Sequence, residues 1–103
     1  MRNLASARKS VDALAVSGFQ KRVLRAVLSI PRGETRSYRQ IAEQIGDPRA
    51  YRAVGNALNK NPLPLVVPCH RVIRSDGRVG GYRFGTRRKA SLLITEGAPR
   101  ADK

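Results

Sequence analysis

Ser37-Tyr38-Arg39-Gln40-Ile41-Ala42-Glu43-Gln44-Ile45-Gly46-Asp47-Pro48 runs straight into Arg49-Ala50-Tyr51-Arg52-Ala53-Val54-Gly55-Asn56-Ala57-Leu58, and the pair reads as helix, tight turn, helix. Ser37 and Gln40 have the S-x-x-Q spacing of a capping box, in which the hydroxyl takes an orphan helix N–H and the glutamine reaches back to the cap. Ile41, Ala42 and Ile45 form an apolar stripe, and Gly46-Asp47-Pro48 breaks it. A second helix from about Arg49 carries Ala50, Ala53, Val54, Ala57 and Leu58 inward. Its other face presents Arg49, Tyr51, Arg52, Asn56, Asn59 and Lys60, side chains suited to phosphates and bases. Generic helical hairpins share the pattern. The polar face favours a DNA-binding helix-turn-helix, whose second helix enters a groove while the first supports it.

Upstream, Phe19, Val23, Ala26, Val27 and Ile30 recur at helical spacing from Gly18 until Pro31 ends the run, and Pro31-Arg32-Gly33-Glu34 reads as a turn. Residues 1–17 have weak helical spacing at Leu4, Val11 and Leu14, compatible with a short helix or a frayed leader. Downstream, Arg71-Val72-Ile73-Arg74 and Arg78-Val79 flank Ser75-Asp76-Gly77 and read as two short strands around a turn, a small wing. Gly80-Gly81-Tyr82-Arg83-Phe84-Gly85 matches no nucleotide-phosphate fingerprint and reads as a pocket wall. Thr86 is placed to cap a last helix through Glu96, with Ala90, Leu93 and Ile94 inward and Gly97 as its stop; residues 98–103 form a tail. The fold class is mainly α with a small β wing, winged helix-turn-helix-like.

At 103 residues with 41% apolar content, the chain has room for one small domain, residues 18–97, behind the leader. One cysteine and one histidine exclude a disulfide framework and fall short of a structural zinc site, so no metal or other cofactor is expected. No apolar stretch reaches a membrane span or a signal-peptide core, which points to an intracellular, cytoplasmic protein without membrane contact. A net charge of +14, from 21 Lys and Arg against 7 acids, points to a polyanionic partner, above all nucleic acid. An Arg-rich lineage, an acidic lipid or an acidic protein would account for the charge less economically.

The only cysteine directly precedes the only histidine in Pro68-Cys69-His70-Arg71-Val72. A lone intracellular cysteine is ordinarily a small buried hydrophobe. Here Asn61-Pro62-Leu63-Pro64-Leu65-Val66-Val67-Pro68 holds three prolines around an apolar run, a rigid approach that delivers Cys69 to a defined place. A thiol needs a base or a cationic neighbour to become a nucleophile; His70 is the candidate base, directly or through water, and Arg71 adds positive potential.

From about Gly18 to Gly97 the chain resembles the O6-alkylguanine-DNA alkyltransferases, the methylated-DNA–protein-cysteine methyltransferases, through their C-terminal active-site domain. Ser37-Tyr38, Arg52-Ala53-Val54-Gly55, Asn61-Pro62, Pro68-Cys69-His70-Arg71-Val72, Gly81-Tyr82 and Glu96-Gly97 carry the likeness in the family's order and spacing. Gly81-Tyr82-Arg83-Phe84-Gly85 looks most like the variant in bacterial adaptive-response alkyltransferases. The resemblance implies single-turnover repair, in which Cys69 takes the alkyl group from guanine O6 irreversibly, with His70 as water-mediated base and Glu96 supporting the imidazole. Asn61 is implied as the hinge between recognition helix and active-site loop. Tyr38, Arg52, Ala53, Gly55 and Asn56 are implied in minor-groove binding and base flipping. Ala57 would join Ala53 and Gly55 in permitting close approach, and Arg52 would fill the gap left by the extruded base. Pro64, Val72, Tyr82 and Arg83 would line the substrate pocket, the carbonyls of Cys69 and Val72 taking the exocyclic amine. The partner implied is double-stranded DNA bearing O6-alkylguanine, bound by a monomer.

Full-length family members carry a further N-terminal domain of different fold, where this chain has residues 1–17. Alkyltransferase-like proteins share the short form, bind alkylguanine without a reactive cysteine and flag it for excision repair through nucleotide-excision-repair partners; Cys69 argues for the enzyme over that reading. A winged-helix transcription regulator is the third alternative, and sequence-specific binding to undamaged DNA would mark it.

Overall fold

The computed structural model describes residues 4–63, 66–82 and 84–97. Helix α1, Leu4–Asp12, lies along α2, Gly18–Leu28, and buries Ala7 and Val11. The leading residues thus supply part of the core. Helix α2 starts where the Ser17 hydroxyl accepts a hydrogen bond from the Gln20 N–H, and it stops ahead of Pro31, whose ring cannot continue a helix. Val23, Leu24 and Val27 on its inner face have no exposed surface, and burying each stabilises the fold by roughly 1.5–3 kcal/mol relative to exposure.

Strand β1, Arg36–Ser37, passes directly into α3, Tyr38–Gln44. Ser37 is the last strand residue and the helix cap at once. Its hydroxyl accepts from the Gln40 N–H at 3.0 Å, and the Gln40 side chain accepts the Ser37 N–H at 2.8 Å, which completes the capping box. The helix ends in a Schellman motif: Gly46 adopts φ +84°, its N–H reaches the Glu43 carbonyl, and the Asp47 N–H reaches that of Ala42. A side chain at position 46 would strain that turn.

Helix α4, Tyr51–Asn59, crosses α3 and buries Val54, Ala57 and Leu58. It begins later than its apolar pattern suggests, because the Ala50 N–H closes a turn on the Asp47 carbonyl and no side chain caps the helix earlier. Ala53, expected inward, is exposed: a stripe through 54, 57 and 58 leaves residue 53 about 100° away around the helix.

A 3-10 turn, Cys69–Arg71, is followed by β2, Val72–Ile73, which pairs in parallel with β1 in the register Arg36 to Val72 and Ser37 to Ile73. The sequence suggested a hairpin between Val72–Ile73 and Arg78-Val79. The Asp-Gly turn does form, with the Arg74 N–H bonded to the Arg78 carbonyl at 2.9 Å and Asp76 accepting the Arg78 N–H at 3.0 Å. One backbone bond is too little for a ladder, and β1 is the strand that pairs with β2.

Helix α5, Thr86–Thr95, is capped by Gly85 at φ +100° and not by the side chain of Thr86, which is already its first helical residue. Leu93 is buried and Ala90 half-buried, but Ile94, expected inward, is 61% exposed; Lys89 occupies the inner face instead. The fold is therefore mainly helical with one small two-stranded sheet. No helix among the described residues is long and apolar enough to cross a membrane.

Ser37→Ala removes one half of the capping box at the helix that begins with Tyr38, and the expected loss is about 1 kcal/mol in urea unfolding, with Ser37→Thr close to wild type. No measurable loss in Ser37→Ala would show that the cap is not holding this helix.

Candidate active site and nucleic-acid interface

Asn61, at the end of α4, is buried and closes the loop that follows: its Oδ1 accepts the Leu63 N–H at 2.8 Å and its Nδ2 donates to the Val67 carbonyl at 3.3 Å. The chain then turns tightly, with the Cys69 N–H on the Val67 carbonyl at 2.8 Å and the Arg71 N–H on that of Pro68 at 2.9 Å. Cys69 is 7% exposed and His70 9%, so neither side chain is freely solvated. The Cys69 carbonyl accepts the Val72 N–H and keeps a second lone pair.

Glu96, the C-terminal cap of α5, reaches back to this turn. Its carboxylate takes two hydrogen bonds from Arg71, Nε to Oε1 and Nη2 to Oε2, both 2.9 Å, while Arg71 Nη1 donates to the Ile30 carbonyl at 2.9 Å. His70 Nε2 lies 3.0 Å from Glu96 Oε2, so the carboxylate faces the imidazole directly. Burial alone would push the Glu96 carboxyl up; Arg71 and His70 outweigh it and hold the group down at about 2. Burial lowers the His70 pKa, the neighbouring carboxylate pushes it back, and the charges of Arg71 and Lys89 lower it further. At neutral pH the imidazole is therefore uncharged and able to accept a proton.

Tyr38 stands where the parallel β1–β2 pairing sets the start of α3 beside Arg74, the residue that follows β2. Its ring packs on Gly55 of α4, and its hydroxyl donates to the Gly81 carbonyl at 3.4 Å. Gly80 faces the same ring: a Cβ there would sit 3.1 Å from the hydroxyl and 3.2 Å from ring carbon Cε2, at a φ of +78° that disfavours side chains anyway. Tyr82, half-buried, meets Phe84 edge-on at 5.5 Å between ring centres. Desolvation raises the pKa of both phenols, and the charge of Cys69 raises each further.

A cavity of about 540 Å³ opens between α4 and the Arg74–Gly81 loop, lined by Tyr38, Arg39, Tyr51, Arg52, Gly55, Arg74 and Gly81 among others. Arg52, Ala53, Asn56 and Asn59 lie exposed along the outer face of α4, and the Arg39 guanidinium sits 5.3 Å over the Tyr51 ring at the rim. Cys69 is not among the described lining residues.

Cys69, His70 and Glu96 are brought together, Asn61 braces the loop before them, and Tyr38 and Arg52 share the cavity. Val72 points its side chain into the core with no exposed surface. Ala57 is also a core residue at 7% exposure and so lies off the groove face. Pro64 and Arg83 lie outside the described residues, as does the 98–103 tail. Two residues escaped sequence reasoning. Arg71 was read only as a source of potential, yet it is the clamp on Glu96. Lys89 was passed over because an inner helix face is read from apolar residues; the signal was its spacing of four and seven from Leu93 and Glu96.

Residues 18–98 match the family model described as 6-O-methylguanine DNA methyltransferase, DNA binding domain. A methylated-DNA–protein-cysteine methyltransferase from Methanosarcina barkeri is 56% identical over 78 residues, 76% of this chain and 49% of that protein. The chain thus spans about half the length of the curated methyltransferases it matches. The crystal structure of Mycobacterium tuberculosis OGT in complex with DNA superposes with a TM-score of 0.79 at 52% identity, covering 85% of this chain and 55% of that one. S. pombe Atl1, solved in complex with damaged DNA containing O6-carboxymethylguanine, superposes with a TM-score of 0.71 at 32% identity, covering 82% of this chain and 80% of its own.

Glu96→Gln breaks the charge balance of the Arg71 pair, and the expected loss is about 3 kcal/mol at neutral pH. Because the folded carboxyl titrates below its unfolded value, its contribution is complete above about pH 5 and fades as the pH falls toward about 2. The gap in urea stability between wild type and Glu96→Gln should therefore narrow on acidification. A gap that stays constant down to about pH 3 would rule out an ionised, clamped Glu96.

Proposed function

We propose, for a chain that belongs to the family of the 6-O-methylguanine DNA methyltransferase DNA-binding domain, that it is the active-site part of a single-turnover DNA repair protein transferring an alkyl group from guanine O6 to Cys69. The observation that carries this reading is the only cysteine held beside an uncharged histidine that a clamped carboxylate supports, the nucleophile, base and orienter arrangement. The Cys69 proton passes to His70 through a water. The sulfur lone pair then forms a bond to the alkyl carbon, the carbon–oxygen bond breaks, and its electron pair leaves on guanine, which takes up a proton. One molecule repairs one lesion, because the thioether is not reversed.

The target carbon is out of reach in a stacked duplex, so the base must leave the helix at a cost of a few kcal/mol. The exposed Arg52, Ala53 and Asn56 on α4 support minor-groove binding, with Arg52 filling the vacated stack and Tyr38 assisting extrusion. Asn61 couples that helix to the Cys69 loop, and Pro64, Tyr82 and Arg83 complete the alkyl pocket. A monomer acting on intracellular double-stranded DNA fits this surface; phosphate contacts make its affinity nearly sequence-independent and steeply salt-sensitive. The second reading is a lesion binder without transfer, and the likeness to Atl1, solved in complex with damaged DNA containing O6-carboxymethylguanine, supports it.

Intact-protein mass after incubation with a duplex containing O6-methylguanine, followed by peptide mapping, separates the two. A gain of one methyl on Cys69 is expected. Cys69→Ala should lose transfer and keep lesion binding, and Arg52→Ala should slow transfer by roughly tenfold or more. No gain by folded wild type that binds the lesion tightly would establish the second reading; methyl transfer by Cys69→Ala would overturn the nucleophile.

A further inference from the structure

Tyr51 stands at the first position of α4 and is 38% exposed, an aromatic ring left open on a face that is otherwise basic. Single exposed apolar side chains are ordinary, and Tyr51 differs from them in how it is held. The guanidinium of Arg39, from α3, lies 5.3 Å over the ring centre, so a cation covers one face and fixes the orientation of the ring. Residues 51, 55 and 59 are four apart and share one side of α4, and all three line the cavity of about 540 Å³. Residue 55 is a glycine packed on the Tyr38 ring, so no side chain stands between Tyr51 and Asn59 along that side. The ring surface that Arg39 leaves uncovered therefore borders the cavity.

The charge around that space is mostly of one sign. Arg39, Arg52 and Arg74 line it, and the one carboxylate among the described lining residues, Asp76, is shared between Arg74 at 3.7 Å and Arg78 at 3.8 Å. No described carboxylate pairs with Arg39 or Arg52. An open aromatic face beside unbalanced guanidiniums fits a flat group with a π-face that is joined to phosphate, which describes a nucleotide whose base has left its stack. We propose that Tyr51 is a base-stacking residue, whose free ring face takes an unstacked nucleobase of bound DNA while Arg39 backs the ring. The proposal rests on the reading of α4 as the DNA-binding face, and it gives that face a second contact with bases beside Arg52. Extrusion supplies two sources of such a base, the extruded base itself and the unpaired partner left behind, and either presents a π-face to the ring. Because Cys69 is not among the described lining residues, stacking on Tyr51 does not depend on alkyl transfer.

The test uses the full chain and duplexes carrying a single 5-iodouracil, which bonds to an aromatic ring stacked on it under long-wavelength ultraviolet light. In one duplex the 5-iodouracil lies opposite an abasic site and is the base extruded; in the other it lies opposite O6-methylguanine and is the partner left behind. Peptide mapping should place the cross-link on Tyr51 with at least one duplex, and which duplex gives it names the source of the base. Cross-links at other residues only, with both duplexes bound, would overturn the proposal and leave the DNA-binding reading standing; a folded chain that binds neither duplex would sink both. Tyr51→Ala, at an exposed helical position that alanine fits well, should bind the abasic-site duplex roughly tenfold more weakly. The slope of log affinity against log salt should stay the same, because no charge is removed, and affinity for a fully paired duplex should not change. Tyr51→Phe should restore the loss. Wild-type affinity in Tyr51→Ala, or an equal fall on the fully paired duplex, would overturn the stacking role. A chain that cross-links at Tyr51 yet takes no methyl from a lesion would sink the repair reading alone.

Discussion

The Glu96 carboxylate, shared between Arg71 and His70, is the contact on which the rest of the site depends. It joins the end of the last helix to the 3-10 turn that carries Cys69, and through Arg71 it reaches the Ile30 carbonyl just past α2. Three segments far apart in sequence are thereby fixed by a single guanidinium and a single carboxylate. A bidentate pair holds orientation as well as distance, which lysine in place of Arg71 would not reproduce. With two Arg71 N–H groups on it, the carboxylate stays ionised beside His70, and the imidazole is held in a polar but poorly hydrated place.

The two-residue sheet has a role out of proportion to its size. Parallel pairing of Arg36 with Val72 and Ser37 with Ile73 sets the residue after β1, Tyr38, level with the residue after β2, Arg74, where the loop leading to Gly80 and Gly81 begins. A hairpin wing would have left this juxtaposition to longer loops. The capping box then fixes the direction in which α3 leaves the strand, and with it the Tyr38 ring over Gly55 and Gly80.

Much of this was legible in the residues. The capping box, the Gly46 stop, the Pro31 stop and the stripe through Val54, Ala57 and Leu58 are local rules written in neighbouring positions, and they hold. The Cys69-His70 pair was legible because each residue occurs once. The misses share a cause, since each concerns a choice of partner made across the fold. Nothing near Val72 in sequence says that its ladder partner is Arg36 and not Arg78. The helical pattern alone assigned Ile94 inward, whereas the inner face is occupied by Lys89, whose acceptors Tyr38 and Gly81 lie on other elements.

That last miss shows how a basic chain hides chemistry. With 21 Lys and Arg, any single cation reads as part of a polyanion-binding surface, and most do lie outward. Charge on the outside raises the local concentration of DNA and falls off with salt over a Debye length. Arg71 and Lys89 belong to a different class, because they act where water is scarce and the effective dielectric is low. A surface arginine is replaceable by its neighbours; a buried one is not, since its removal leaves Glu96 without its hydrogen-bond partner. The chain therefore places cations in two settings separated only by burial, a solvent-screened positive surface outside, and Arg71 and Lys89 inside, each held by its own hydrogen bonds.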